Sequence, residues 1–335
     1  MSVDDSRIAQ RLLDVLQSLP GRRPLAYLSP PTRLSGGFSA DTYAFELLDP
    51  PLNLAGPLIL RVMRNDADAR RETIIHRAVA DMSFPAPRVR LSGDASSIFG
   101  RPFLIADFAR GKDALKEWGV RLAFRNLPDV LAEIMVQLHS LDADPVAREL
   151  ESAGWPRERL GAPGVLTEIE TAIGHAGDPG LPERLKRLCS QRPRDTPACL
   201  IHGDLHALNI LMEGQRVTAV LDWELARVTD AESDVARTKV ILDTVPGMSS
   251  ALLRPLVQAV GRRAGAAFLD NYRQRRGLDE ERIRWWEAAH CLRLVAMVAE
   301  RRTTGRSSSS EGVVGIWDPL VRRLARRFEE LMGTG

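Results

Sequence analysis

The 335-residue sequence predicts an α+β chain, with short strands crowded into its first part and helices dominating the rest. Three observations carry this expectation. Short apolar runs bounded by Gly, Pro and Asp crowd into the first 106 residues. Apolar residues at helical spacing dominate beyond residue 127. Residues 201–224, IHGDLHALNILMEGQRVTAVLDWE, interrupt the helical part and read as a polar loop followed by a hairpin.

The elements follow in order. Residues 1–19 place Ile8, Leu12, Leu13, Val15, Leu16 and Leu19 at roughly helical spacing, and Pro20-Gly21 ends that helix. Leu34-Ser35-Gly36-Gly37-Phe38-Ser39 is a Gly-rich turn before an alternating strand at 42–47, and such a turn can fold its backbone N–H groups over phosphates. The run 57–64 is the next strand and carries Arg61. Residues 67–82 read as a helix with Ile74, Ile75 and Val79 on one side. Phe84-Pro85-Ala86-Pro87 breaks it. Two strands, 88–91 and 102–106, flank a Gly/Ser/Asp turn. A helix is predicted at 127–141. Helical stretches at 164–173 and 181–189 lie within a Pro-, Gly- and Arg-rich region. Three more helices are predicted at 252–275, 281–301 and 317–332, with a Ser-rich loop at 303–312.

The chemistry concentrates in residues 201–224. Val217-Thr218-Ala219-Val220-Leu221 reads as a short strand ending in Asp222. Glu213-Gly214-Gln215-Arg216 is the turn that joins it to Asn209-Ile210-Leu211-Met212. Two carboxylates and an amide, Asp204, Asp222 and Asn209, suit a hard cation with oxygen ligands, notably Mg²⁺ held with substrate phosphates. A non-haem iron or zinc site from His202, Asp204 and His206 is the competing reading. It lacks a distal ligand and leaves Asn209 and Asp222 unexplained.

His202-Gly203-Asp204-Leu205-His206-Ala207-Leu208-Asn209 followed by Asp222-Trp223-Glu224 keeps the order of the protein-kinase catalytic loop and its metal-binding strand end. The HGD and DWE forms resemble the aminoglycoside phosphotransferase family, which includes choline kinase-like small-molecule kinases. The resemblance implies a bilobal protein-kinase-like fold, with a small antiparallel-sheet lobe at residues 1–106 and a larger, mainly helical lobe at 107–335, and ATP- and Mg²⁺-dependent transfer of the γ-phosphoryl group to a hydroxyl, with GTP as a possible donor. It implies Asp204 as the catalytic carboxylate and Asn209 and Asp222 as Mg²⁺ ligands. It places Arg61 on the phosphates with Glu72 as its partner. It also implies backbone contacts to the nucleotide from Ser35, Gly36, Gly37 and Ser39, and from a hinge at Asp107 and Ala109. Asp234 resembles the family's acid that opens a helix and braces the catalytic loop. His139, at a helix end, reads as a hydrogen-bonded structural histidine.

Composition narrows the alternatives. Only Lys112, Lys116, Lys186 and Lys239 are lysines among the 46 basic residues, and none precedes position 112. A phosphate-binding cation in the first lobe must therefore be an arginine, which makes a nucleotide-binding pseudokinase acting through partners the alternative function. A formal charge of +2 gives no nucleic-acid surface. Cys189, Cys199 and Cys291 form no CxxC pair, which fits reduced thiols and a cytoplasmic protein. No apolar run is long enough to span a membrane, and the acidic N-terminus does not read as a signal peptide. From Trp223 onward 19 Lys/Arg face 15 Asp/Glu, which disfavours a polycationic acceptor. The acceptor candidates are a small-molecule hydroxyl on an antibiotic, a sugar, an amino alcohol or a hydroxy acid derivative. Oligomeric state leaves no signal in the sequence.

Overall fold

The computed structural model describes residues 3–18, 24–34, 40–63, 66–94, 100–194, 196–244, 254–304 and 311–333. In chain order, α1 (Val3–Gln17) precedes β1 (Ala26–Arg33), β2 (Ala40–Leu48) and β3 (Leu58–Met63). Then come α2 (Asp66–Asp81), β4 (Val89–Gly93), β5 (Phe103–Asp107) and β6 (Lys112–Asp113). The next helices are α3 (Ala114–His139), α4 (Asp144–Ser152), α5 (Arg157–Leu160), α6 (Ala162–Ala176) and α7 (Leu181–Ser190). Short strands follow: β7 (Cys199–Ile201), β8 (Ile210–Glu213), β9 (Arg216–Val220) and β10 (Arg227–Thr229). The chain ends on α8 (Ala231–Thr244), α9 (Arg254–Arg276), α10 (Glu280–Thr304) and α11 (Glu311–Met332). It divides into two compact units, Met1–Asp113 with Asn209–Ala226, and Ala114–Leu208 with Arg227–Gly335.

The first unit is built on an antiparallel sheet of order β1-β2-β3-β5-β4. The period-2 pattern decides its faces. Leu58, Leu60 and Val62 of β3 join Tyr43, Phe45 and Leu47 of β2 in one core with Leu12, Val15 and Leu16 of α1. Each such side chain contributes about 1.5–3 kcal/mol on full burial. The alternation turns Arg61 to the opposite face, where Ala40, Met63, Leu104 and Ala106 pack with Ala69 of α2. A second sheet, β6-β8-β9, completes the unit. Gly111 leads into β6 at φ 116°, and a Cβ there would sit 2.8 Å from the Met212 carbonyl oxygen. Only glycine fits both the dihedral and the close approach.

The second unit is helical. The central helix α10 packs against α6, α7, α8 and α11. It buries Trp285, Trp286, Ala288, Ala289, Cys291 and Leu292, so its apolar surface runs round the helix rather than along one stripe. Trp286 Nε1 donates to Asp230 at 3.0 Å and Trp285 Nε1 to the Leu188 carbonyl at 2.9 Å, which satisfies both buried indoles. The helical span α3 breaks at Gly119 (φ 68°, ψ 159°) and carries Pro128. The antiparallel pair β7–β10 sets Ile201 opposite Arg227. Residues 202–206 leave β7 directly, and β10 feeds α8. No helix among the described residues is long and apolar enough to cross a membrane.

Candidate active site

In the first unit, Arg61 is the junction. Nη1 donates to Glu72 Oε1 on α2, and Nη2 donates to Asp222 Oδ1 at 3.1 Å. Glu72 is buried and Arg61 partly so, whereas the Asp222 side chain is 42% exposed. Burial opposes the Arg61 charge, yet Glu72 and Asp222 outweigh it and raise the guanidinium's pKa. Burial pushes the Glu72 carboxyl up to about 7 against the pull of Arg61, with Asp222 and Glu224 adding to the rise. Asp222 and Glu224 thus bring further negative charge to the Arg61–Glu72 pair.

The hairpin accounts for the placing of Asn209 and Asp222. Ile210 pairs with Val220, and the Leu221 N–H donates to the Asn209 carbonyl at 2.8 Å. Asn209 and Asp222 are therefore held at the same end of one hairpin. Asp222 turns the chain in the left-handed region at φ 66°, a conformation Asp tolerates better than bulkier residues and one that recurs at functional positions. Trp223 behind it is fully buried, stacks on His76 and meets Phe84 edge-on. Its Nε1 donates to the Val220 carbonyl at 3.1 Å. Arg71 donates to the Glu224 carbonyl at 3.0 Å. These contacts leave the strand end little freedom.

In the second unit, the loop after β7 is held by one buried carboxylate. Asp234 accepts from the His202 N–H at 2.9 Å and the Gly203 N–H at 2.8 Å. His139 Nε2 lies 3.2 Å from the same carboxylate and its Nδ1 2.8 Å from Tyr272 Oη. The expected brace is therefore present, and His139 is structural, as read from the sequence. Burial would raise the Asp234 pKa, but the His139 and His202 contacts overcome that and hold it below the usual range.

Asp204 leaves this loop toward Arg237 and His206. Arg237 Nη2 donates to its Oδ1 at 2.8 Å, and His206 Nε2 lies 3.5 Å from Oδ2. Burial again works against the charged form. The His206 hydrogen bond and the Arg237 charge prevail, and the Asp204 carboxyl sits well below the ordinary carboxylate range. Sequence reasoning missed Arg237. Its signal was the spacing: three residues after Asp234 on a helix that Asp234 opens, a neighbour shares that face.

A model of the phosphotransferase enzyme family (APH) matches residues 31–286. The chain belongs to this phosphotransferase family. It is 31% identical over 170 residues to a homoserine kinase of Methylocella silvestris, covering 48% of each chain. It is 30% identical over 178 residues to human acyl-CoA dehydrogenase family member 11, covering 50% of this chain and 22% of that protein. The matched region thus spans about half the length of the first relative and under a quarter of the second. Among solved structures, a Ralstonia eutropha protein provisionally named an aminoglycoside phosphotransferase aligns over 97% of this chain and 98% of its own, with TM-score 0.67 and 18% identity. A thermostable mutant of aminoglycoside phosphotransferase APH(4)-Ia, in ternary complex with AMP-PNP and hygromycin B, aligns over 98% and 99% with TM-score 0.60 and 14% identity. At these identities the likeness shows the fold, a kinase-like α+β architecture with an antiparallel N-terminal sheet and a mainly helical remainder.

The other positions expected from the phosphotransferase resemblance stand as follows. Ser35, Gly36, Gly37 and Ser39 lie outside the described residues. The Asp107 N–H donates to the Arg88 carbonyl at 3.0 Å, and its carboxylate receives two hydrogen bonds from Arg90, at 2.6 and 2.9 Å. Ala109 follows in irregular chain, and the next carbonyl, of Arg110, accepts from Thr218 Oγ1 at 2.6 Å, tying this segment to β9. Among the described residues no group of three or more His, Cys, Asp or Glu side chains could hold a metal. Mg²⁺ in phosphoryl transfer needs only one or two protein oxygens beside the phosphates, and Asn209 and Asp222, at one end of the hairpin, are the side chains that could supply them.

Proposed function

We propose that this phosphotransferase moves the γ-phosphoryl group of ATP to a hydroxyl of a small molecule. The observation that carries the reading is Arg61, bonded at once to Glu72 and Asp222. In kinases a strand cation and its helix glutamate hold the nucleotide phosphates, and here arginine fills the cation's place. Arg61 steadies the phosphates and Glu72 fixes Arg61. Asn209 and Asp222 would hold Mg²⁺, which neutralises phosphate charge when bound. Asp204, ionised across the physiological range, accepts the acceptor hydroxyl's hydrogen bond and then its proton. The second unit carries that group, and the first carries the nucleotide machinery. Asp107 and Ala109 offer backbone groups to the adenine.

The homoserine kinase relative makes a hydroxyl on an amino-acid-sized acceptor the first class to test, ahead of antibiotics, sugars and amino alcohols. A transfer screen with ATP and GTP across these classes decides both donor and acceptor. Asp204→Ala should abolish transfer, a loss of at least about 10³-fold, and leave ATP affinity within about twofold. Wild-type chain that binds Mg²⁺–ATP yet phosphorylates no hydroxyl in the screen would overturn the reading in favour of a pseudokinase.

A further inference from the structure

A cavity of about 550 Å³ lies in the second unit between α8, α9, α10 and α11, within the size range of small-molecule sites. Its apolar wall includes Val240, Leu269 and Leu324. Thr244 and Gln258 add neutral polar groups, and the charged part sets five cations, Lys239, Arg262, Arg323, Arg326 and Arg327, against Asp243, Glu287 and Glu330. The three acids are already engaged. Asp243 accepts from Lys239 at 2.6 Å, and Glu287 accepts from Lys239 at 3.0 Å and Arg327 at 2.7 Å. Glu330 lies 3.2 Å from Arg327.

That network leaves three arginines over. Among the described residues neither Arg262 nor Arg326 has a carboxylate at ion-pair distance, and Arg323 donates Nη2 to the Asp243 carbonyl oxygen. Burial, followed by repulsion from Arg262, lowers the Arg323 pKa. Asp243 is occupied elsewhere: its Oδ1 packs against Gly265 of α9, 2.6 Å from where a Cβ would stand, and Lys239 holds its other oxygen.

We propose that this cavity binds the anionic group, a phosphate or a carboxylate, of a small organic molecule whose apolar part rests on Val240, Leu269 and Leu324. Planar guanidinium forks match both anions, and their mutual repulsion is relieved when one is bound. The same charge excess rejects a polycation. Lys239 and Asp243 sit on α8, the helix that carries Arg237 to Asp204. The anion therefore belongs either to the acceptor or to a separate effector.

The test is isothermal titration of the full chain with phenyl phosphate, in excess Mg²⁺–AMP-PNP to occupy any nucleotide site, with benzyl alcohol as the neutral control. The expected result is saturable phenyl phosphate binding that weakens at raised salt. The exposed-site double variant Arg262→Gln/Arg326→Gln should raise Kd by about tenfold or more with an unchanged thermal midpoint. Glu330→Gln should lower Kd, an outcome a damaged fold would not give. Equal affinity in wild type and double variant, benzyl alcohol binding as tightly as phenyl phosphate, or no saturable heat would each overturn the proposal. In transfer assays, phenyl phosphate raising only the acceptor KM identifies the anion as the acceptor's own, and a change in kcat at constant KM identifies an effector; both retain the site. Chain that binds phenyl phosphate but phosphorylates nothing keeps the anion site and overturns the transfer reading instead.

Discussion

A single guanidinium joins three elements of the first unit: Arg61 on β3, Glu72 on α2 and Asp222 beyond β9. A lysine is one point charge and cannot fork to both carboxylates with the same geometry. Arg61→Lys is therefore expected to retain partial activity, and Arg61→Ala to raise the ATP KM by about tenfold or more. Steady-state kinetics with varied ATP checks this, and equal KM values for wild type and Arg61→Ala would remove Arg61 from the phosphate site. Arg237 makes a different prediction, because it helps keep Asp204 ionised. In the wild type the Asp204 limb of the pH–kcat profile is expected below the ordinary carboxylate range. Arg237→Gln removes a positive neighbour, the Asp204 pKa rises, and the acid limb should move upward into the measured range while kcat at high pH falls less. A purely structural Arg237 would lower kcat evenly at every pH. Arg61 and Glu72 were picked out by the resemblance to the kinase strand cation and its helix glutamate, together with the absence of lysine before position 112, and the two side chains are bonded. Arg237 was not, since its spacing of three from Asp234 gains meaning only once Asp234 is known to face the 202–206 loop.

At the scale of elements, the loop 202–206 is fixed by a carboxylate from α8 rather than by regular structure. Asp234 is fully buried and holds two loop amides. Asp234→Asn leaves those donors short of charge and should cost roughly 2–4 kcal/mol at pH 7. The sign with pH follows from the depressed folded pKa. Its contribution is complete above the unfolded value of about 3.9 and disappears as pH falls through the folded value. Chemical denaturation of both proteins from pH 7 to pH 3 should show their stabilities converging as pH falls below about 4; a constant gap would refute the linkage. The hairpin β8–β9 and the helices α1, α2, α6, α7 and α10 were legible from periodicity. The strand β1 was not, because Pro30 and Pro31 within it remove ladder donors and break its alternation. An edge strand with register shifts tolerates them. The start of α3 at Ala114 was hidden by Gly119 and Pro128, which interrupt the pattern. Likewise β6, β7 and β10 have two or three residues each, too few for any period.

At the scale of the molecule, each compact unit is assembled from two separated stretches of chain. Local patterns announce strands and helices, but not that Asp222 will meet a partner 161 residues earlier. This long-range closure makes a strong claim about the fragment 1–113. It contains the five-stranded sheet, α1 and α2, yet it lacks residues 209–226. Without them β6 loses β8, Arg61 loses Asp222, and His76 and Phe84 lose Trp223. The Val220 N–H no longer reaches the Pro85 carbonyl. Removing a fully buried tryptophan alone costs about 3–5 kcal/mol, against a typical domain stability of about 5–15 kcal/mol. The fragment is expected to show no cooperative thermal transition by near-ultraviolet circular dichroism. Joining residues 209–226 to it through a flexible Gly/Ser linker should restore one, because the closure entropy of a longer loop grows only slowly with length. A sigmoidal melt of 1–113 by itself would show that the hairpin is an attachment to this unit, and a linked version that still melts without cooperativity would show that the unit needs more of the chain than its own two stretches.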